Sequence, residues 1–367
     1  MDKLDISARR ILVACRSIAH TRALTHPRTR PGSAKCRGER SIGLDATVGL
    51  SIQSTAEVRI ATVSSSGQRF GPYQIEDELG SGGMGTVYRA RDTRLGRLVA
   101  LKVLRRDLAE DSVFANRLEQ EARLVAALNH PNVCTLHDIG RHDGNLFLVM
   151  ELVDGINLTR RLATAREGLP VAESLAIAAQ VAEALAAAHR VGIVHRDVKP
   201  ANIMIAKDGV KLLDFGVARS DGDVADTLTT MAGDSSGIVG TLTYMAPEQL
   251  TGRADARTDI YALGCVLFEM LTGRRAYIFD AGPQLFAAIA AASVPPVTTI
   301  KRDIPPALSR TLTRCLARDP DLRWQSASDL ADELRWIGGI QSTNADQVSV
   351  SAPPPSRRWW VVAAVAA

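Results

Sequence analysis

Residues 193–202 read Ile193-Val194-His195-Arg196-Asp197-Val198-Lys199-Pro200-Ala201-Asn202, and Asp214-Phe215-Gly216 starts twelve residues beyond Asn202. Two carboxylates, an amide and a Lys therefore fall within some twenty residues, on loops around the short strands expected at 203–205 and 211–213. A magnesium ion takes hard oxygen ligands, an ammonium neutralises a phosphoryl group in transfer, and a separate carboxylate can receive the proton of an attacking hydroxyl. The set implies a magnesium-phosphate site on a fold that alternates short strands with functional loops.

Upstream, Leu79-Gly80-Ser81-Gly82-Gly83-Met84-Gly85-Thr86-Val87 spaces glycines at 80, 82 and 85. Such a hairpin lets backbone N–H groups approach an anion with no Cβ in the way. A dinucleotide-binding turn would open a helix here, whereas Thr86-Val87-Tyr88-Arg89-Ala90 continues as strand, so that reading is set aside. Val99-Ala100-Leu101-Lys102 then carries an ammonium on an apolar strand, 17 residues past Gly85. With only 7 Lys beside 37 Arg in the chain, a Lys at this place has weight as a phosphate ligand; the plainer alternative is a surface Lys lying along the strand. Its natural restraint is a carboxylate on the following helix, expected over 113–128 from the spacing of Leu118, Ala122, Val125 and Leu128. Glu121 suits that role better than Glu119, which helical geometry turns about 200° away. A solvated helix face is the alternative for either.

The rest of the pattern divides the chain. Strands are expected at 73–79, 86–91, 98–104 and 145–152, then a connector at Val153-Asp154-Gly155. Helices follow over 171–191, 260–271, 283–292 and 308–317, with a polar stretch of Gly, Ser, Thr and Asp from 220 to 237 too long for an idle loop. Residues 1–70 form a basic arm, with 12 Lys and Arg against 5 Asp and Glu, and are expected to be disordered. The body over 71–337 holds 30 basic against 34 acidic residues, split into a β-rich lobe at 71–152 and an α-rich lobe at 153–337. A net charge of +4 over 367 residues, concentrated in the arm, argues against nucleic acid as a partner. Five cysteines, far apart and never in a CxxC pair, support neither a disulfide framework nor a zinc ribbon and fit a reducing cytosol.

No window of 18 consecutive apolar residues exists. Residues 338–358, with Pro353-Pro354-Pro355, read as a linker, and Trp359-Trp360 opens nine apolar residues behind Arg357-Arg358. That end reads either as a frayed, sticky terminus or as the start of a truncated membrane helix.

Taken together and in this order, the Gly-rich loop, Val99-Ala100-Leu101-Lys102, His195-Arg196-Asp197 with Lys199 and Asn202, Asp214-Phe215-Gly216, and Ala246-Pro247-Glu248 resemble the protein kinases, specifically the eukaryotic-like Ser/Thr kinases of bacteria. The likeness covers roughly residues 72–337. It implies an α+β bilobal fold: a small antiparallel β lobe with one key helix, a larger helical lobe, and ATP in the cleft. It implies an ATP-binding set of Leu79, Gly80, Ser81, Gly82, Gly83, Met84, Gly85, Thr86, Val87, Ala100, Lys102, Glu121, Met150, Glu151, Val153 and Met204. Within it, the glycines would cover the phosphates, and Val87 and Ala100 would lie against adenine. Lys102 would bind the α and β phosphates and pair with Glu121 when the helix is swung in. Met150 resembles the gatekeeper, and the backbone of Glu151 and Val153 would meet the adenine. Asp197 would orient the substrate hydroxyl and take its proton, Lys199 would stabilise the moving phosphoryl, Thr241 would contact both, and Asn202 and Asp214 would hold Mg²⁺, or Mn²⁺ in its place. Asn157 departs from the acid many relatives carry near the ribose. Val125, Leu136, His195 and Phe215 would stack across the lobes above Asp259, and Glu248 would pair with Arg323.

Lys199 and the run Gly240-Thr241-Leu242-Thr243-Tyr244-Met245-Ala246 follow the Ser/Thr rather than the Tyr pattern, so the implied substrates are proteins with Ser or Thr acceptors. Arg196 beside Asp197 needs an anion, and the likeness implies autophosphorylation of the 217–245 loop, through self-association, at Ser235 or Ser236, with Thr227, Thr229 and Thr230 as second choices. Two alternatives stand beside an active cytoplasmic kinase: a nucleotide-binding pseudokinase scaffold, and the cytosolic part of a membrane-anchored receptor kinase.

Overall fold

Strand β4 (Leu98–Leu104) is the element on which the site's geometry rests. Its period of two sends Val99, Leu101 and Val103 into one apolar cluster with Tyr73, Ile75, Tyr88 and Val149. Ala100 and Lys102 must then face the other side of the sheet. The computed structural model describes residues 67–215, 242–277, 283–291 and 294–348. In it β4 pairs on one side with β3 (Gly85–Asp92), which follows β1 (Arg69–Phe70) and β2 (Tyr73–Gly82). On its other side runs β6 (Asn145–Glu151), next to β5 (Leu136–His142). The order β1-β2-β3-β4-β6-β5 is antiparallel throughout.

A short helix α1 (Arg106–Glu110) precedes α2 (Ser112–Ala126). The latter starts where Asp111 accepts hydrogen bonds from the N–H groups of Val113 (2.9 Å) and Phe114 (3.2 Å), an N-cap that satisfies donors the helix cannot use. Its buried residues, Ala115, Leu118, Ala122 and Val125, recur every three or four positions. Ala115 and Leu118 pack on Leu104 and Leu146 of the sheet, while Ala122 and Val125 join the core of the second lobe.

That second lobe is built on α4 (Val171–Arg190) and α5 (Ala256–Thr272), both buried along most of their length. Around them lie α3 (Leu158–Ala163), α6 (Pro283–Ala291), α7 (Pro306–Cys315) and α8 (Ala327–Val348), with a small sheet β7-β8-β9 at the cleft (Gly155–Asn157, Ile203–Ala206, Gly209–Leu212). By mean hydropathy α4 is apolar enough to cross a membrane, but 67% of that window is buried in the protein, which makes it a core helix.

The bilobal α+β reading holds, with three additions. β5 escapes sequence patterning because Leu136 is its only fully buried residue. α3 is short and starts at Asn157, whose Oδ1 accepts the Arg160 N–H at 2.9 Å; the residue that departs from the acidic pattern works here as a helix cap. α8 runs through Gly338-Gly339 to Val348, into the segment read as linker. No Pro interrupts it before Pro353. Most of the basic arm, the 220–237 stretch and the segment 359–367 lie outside the described residues.

Candidate active site

The loop from His195 to Asn202 leaves α4 through a turn that backbone sterics disfavour: Arg196 has φ +61°, in the left-handed region. Asp259, at the start of α5 and with no solvent exposure, holds the turn in place. Its Oδ2 accepts the His195 N–H and its Oδ1 the Arg196 N–H, each at 2.8 Å. His189 of α4 completes the arrangement, with Nε2 2.8 Å from Asp259 Oδ2. A buried carboxylate with three polar partners is satisfied; with fewer it would carry a desolvation penalty of several kcal/mol.

The turn delivers Asp197 to the cleft. Lys199 Nζ lies 2.8 Å from Asp197 Oδ2, and Asn202 Nδ2 donates to the same oxygen at 3.1 Å and to the Asp197 carbonyl at 2.9 Å. Carboxylate, ammonium and amide thus share one small volume, all mostly shielded from solvent. Because Asn202 spends its amide nitrogen on Asp197, Oδ1 is the end it can offer a cation.

Asp214 arrives from β9 by a second strained residue, φ +48°. Its Oδ2 is 2.9 Å from Lys102 Nζ, across the cleft from the sheet. Asn202 accepts the Leu213 N–H at 2.8 Å, and the Leu213 carbonyl lies 2.9 Å from His195 Nε2, so the two loops are hydrogen-bonded to each other. The His195 and Phe215 rings sit 4.7 Å apart, and Val125, Leu136 and Phe215 share one buried cluster.

Asp214 and Asn202 offer two hard oxygens, and among the described residues no group of three His, Cys, Asp or Glu could hold a metal by itself. That donor set suits a divalent ion that draws its remaining ligands from phosphates.

The Gly-rich segment forms the β2–β3 hairpin, exposed from Leu79 to Gly83 and half-buried from Met84 to Val87. A Cβ at Gly80, Gly82 or Gly83 would meet open space. Gly85 differs: its φ is +152°, and a Cβ there would come within 2.1 Å of the Val103 carbonyl on β4. Ala100 lies opposite Met150 in the sheet register, and Met204 of β8 lies opposite Lys211. Glu151 and the half-buried Val153 border the connector.

Glu121 is the residue the structure sets apart. Lys102 takes Asp214 as its carboxylate, and Glu121 instead lines a cavity of about 180 Å³ between α2 and the 192–196 loop, with Leu124, Ile193, Arg196 and Phe215. The carboxylate seen beside Lys102 is thus Asp214, while the expected pairing with Glu121 belongs to the swung-in position of α2. Thr241, Ser235, Ser236, Thr227, Thr229 and Thr230 lie outside the described residues.

Away from the cleft, Arg323 meets Glu248 in a two-pronged pair at 2.6 and 2.8 Å. Two contacts escape sequence reasoning: His189 with Asp259, and Glu151 with Lys211, whose Nζ is 2.8 Å from Oε1 and 2.9 Å from Oε2. The rarity of Lys in the chain was the one signal for the second.

The family model for the protein kinase domain matches residues 73–334. Among curated proteins, serine/threonine-protein kinase PknB of Mycolicibacterium smegmatis is 40% identical over 302 residues, covering 78% of this chain and 47% of that protein. Serine/threonine-protein kinase PknD of Mycobacterium tuberculosis is 42% identical over 268 residues, covering 72% and 39%. The crystal structure of the M. tuberculosis PknI kinase domain superposes with a TM-score of 0.61 at 33% identity, covering 75% of this chain and 99% of that one. The chain spans less than half the length of these curated relatives.

Proposed function

The chain belongs to the protein kinase family, and on that premise we propose that it is an ATP-dependent Ser/Thr protein kinase whose catalytic body is residues 71–337. The observation that carries this reading is Asp197, oriented by Lys199 at 2.8 Å and Asn202 at 3.1 Å on a loop that a buried Asp259 holds in a strained turn. Strain of this kind persists where the surroundings over-determine it, as a positioned catalytic group requires.

In the reaction the hydroxyl oxygen of a Ser or Thr on the protein substrate attacks the γ-phosphorus of ATP. The bond from that phosphorus to the β,γ-bridging oxygen breaks, ADP leaves, and the hydroxyl proton passes to the Asp197 carboxylate. Lys199 stands beside Asp197 to neutralise charge on the phosphoryl group, and Lys102 to meet the α and β phosphates, exchanging its contact with Asp214 for them. Asn202 and Asp214 are the residues to hold Mg²⁺, which when bound neutralises the phosphate oxygens. The hairpin from Leu79 to Val87 covers the phosphates with backbone N–H groups, and Ala100, Met150, Glu151, Val153 and Met204 take the adenine. Glu121 joins Lys102 in the swung-in position of α2, and Thr241 contacts Asp197 and Lys199.

Arg196 supports control by autophosphorylation of the 217–245 loop at Ser235 or Ser236, with self-association supplying the second copy. The segment 359–367 supports a membrane anchor beyond the stretch that follows α8.

Radiolabelled phosphate transfer from ATP to a Ser/Thr-bearing acceptor protein tests the central reading. The wild-type chain is expected to transfer phosphate with Mg²⁺, and Asp197→Asn to lower the rate about 10²- to 10⁴-fold. Nucleotide binding without transfer in either protein would mean a scaffold instead.

A further inference from the structure

Three of the lysines in this Lys-poor chain form close ion pairs among the described residues: Lys102, Lys199 and Lys211. The first two serve phosphate chemistry in the reading above. Lys211 has no such role, yet its ammonium lies between both oxygens of Glu151, at 2.8 and 2.9 Å, with side-chain exposures of only 22% and 29%.

The two residues belong to different parts of the cleft. Glu151 ends β6 and opens the connector that faces the adenine. Lys211 lies on β9, three residues before Asp214, opposite Met204 in the β8–β9 register. The same point is tied from a third direction. Glu151 Oε2 also accepts the Thr135 N–H at 3.2 Å, and the Glu151 N–H donates to the Thr135 carbonyl at 2.9 Å. Cys134 N–H donates to the Leu212 carbonyl at 3.0 Å. Connector, β9 and the 134–135 segment thus meet at one carboxylate. Burial alone would raise the Glu151 carboxyl, but the hydrogen bonds from Lys211 and Thr135 outweigh it and hold it below the usual carboxylate range, so it stays charged at neutral pH.

A charged, two-oxygen contact restrains the tilt of the peptide that bears it more than a single neutral hydrogen bond would. The Glu151 carbonyl and the Val153 N–H are the groups expected to meet adenine, and Asp214 the one to meet the metal. We infer that Lys211 is a positioning residue for the nucleotide: by clamping the Glu151 carboxylate it holds the adenine edge of the connector in register with the strand that presents Asp214. This rests on the kinase reading.

Calorimetric titration of the full chain with Mg²⁺ and a non-hydrolysable ATP analogue tests it, on wild type, Lys211→Met, Glu151→Gln and the double variant, with melting temperatures taken without nucleotide. Each single change is expected to weaken binding about fivefold, a moderate figure for a partly screened charged pair, and the double variant to bind no more weakly than either single one. In the transfer assay Lys211→Met should raise the KM for ATP by the same factor while kcat holds. Single variants that bind as tightly as wild type, losses that multiply in the double variant, or a fall in melting temperature with unchanged affinity would each overturn the role and leave the kinase reading intact. A wild-type chain that takes up no nucleotide overturns both.

Discussion

Arg323 has no exposure to solvent, yet its guanidinium is fully charged. Every donor it has is used: Nε to the Ala317 carbonyl, one terminal nitrogen to Glu248 Oε1 and the Arg257 carbonyl, the other to Glu248 Oε2 and the Arg318 carbonyl. Its carbon also lies 4.7 Å from the Tyr261 ring centroid. The pair with Glu248 is expected from the sequence likeness; the three carbonyls are not, because backbone acceptors leave no mark on residue identity. Removing one partner of a buried pair strands the other, so Arg323→Ala is expected to cost about 3–5 kcal/mol, read from the denaturant midpoint. Arg323→Lys should recover only part of this, since three donors on a compact ammonium cannot reach five positions set out for a planar fork. A midpoint unchanged in both variants would show that the network contributes nothing.

The Gly-rich hairpin separates two reasons for glycine that sequence spacing alone cannot distinguish. At Gly82 a side chain would meet open space, so Gly82→Ala should leave stability within about 0.5 kcal/mol and act, if at all, on nucleotide affinity. At Gly85 both φ and the Val103 carbonyl forbid a Cβ, and Gly85 pairs with Leu104 two positions from Lys102. Gly85→Ala is expected to destabilise the lobe by about 1–3 kcal/mol and weaken nucleotide binding as well, by melting and titration in parallel. Equal stability of the two variants would contradict this account. Legibility at this scale follows burial. α2 was readable because it buries one face and leaves the other, and β4 because its apolar run is buried on both faces, whereas β5 buries too little to show a period. α8 contains a Gly pair that reads as a breaker, yet the helix runs through it to Val348.

Across the whole molecule, the histidines at the junction of the lobes predict how stability responds to acid. Burial disfavours the imidazolium of His130 and of His137 and holds both below the ordinary histidine value. His130 Nδ1 also accepts the Asn132 N–H at 3.2 Å, a bond that protonation there would break. The unfolded chain binds these protons more readily than the folded one, so stability is complete above about pH 6.5 and falls as pH drops through the usual histidine range. Asp255 and Asp107, held below the ordinary carboxylate value first by hydrogen bonds from Arg257 and Arg105, add a second loss at lower pH. Melting temperature should therefore decline as pH falls from about 6.5 to about 5.5, and His130→Asn should flatten part of that slope; an identical slope in the variant would remove His130 from the explanation. The sequence by itself determined the inventory: two lobes, a glycine hairpin, and Lys102, Asp197, Lys199, Asn202 and Asp214 as the groups for phosphate chemistry. These are legible because their types and order are local and their chemistry is specific. Only the tertiary structure decided the partners: Lys102 with Asp214, Asp259 with His189 as well as the backbone it anchors, and Glu151 with Lys211. Periodicity reports that a face is buried but not what packs on it, and a charge takes whichever opposite charge folding brings within about 3 Å.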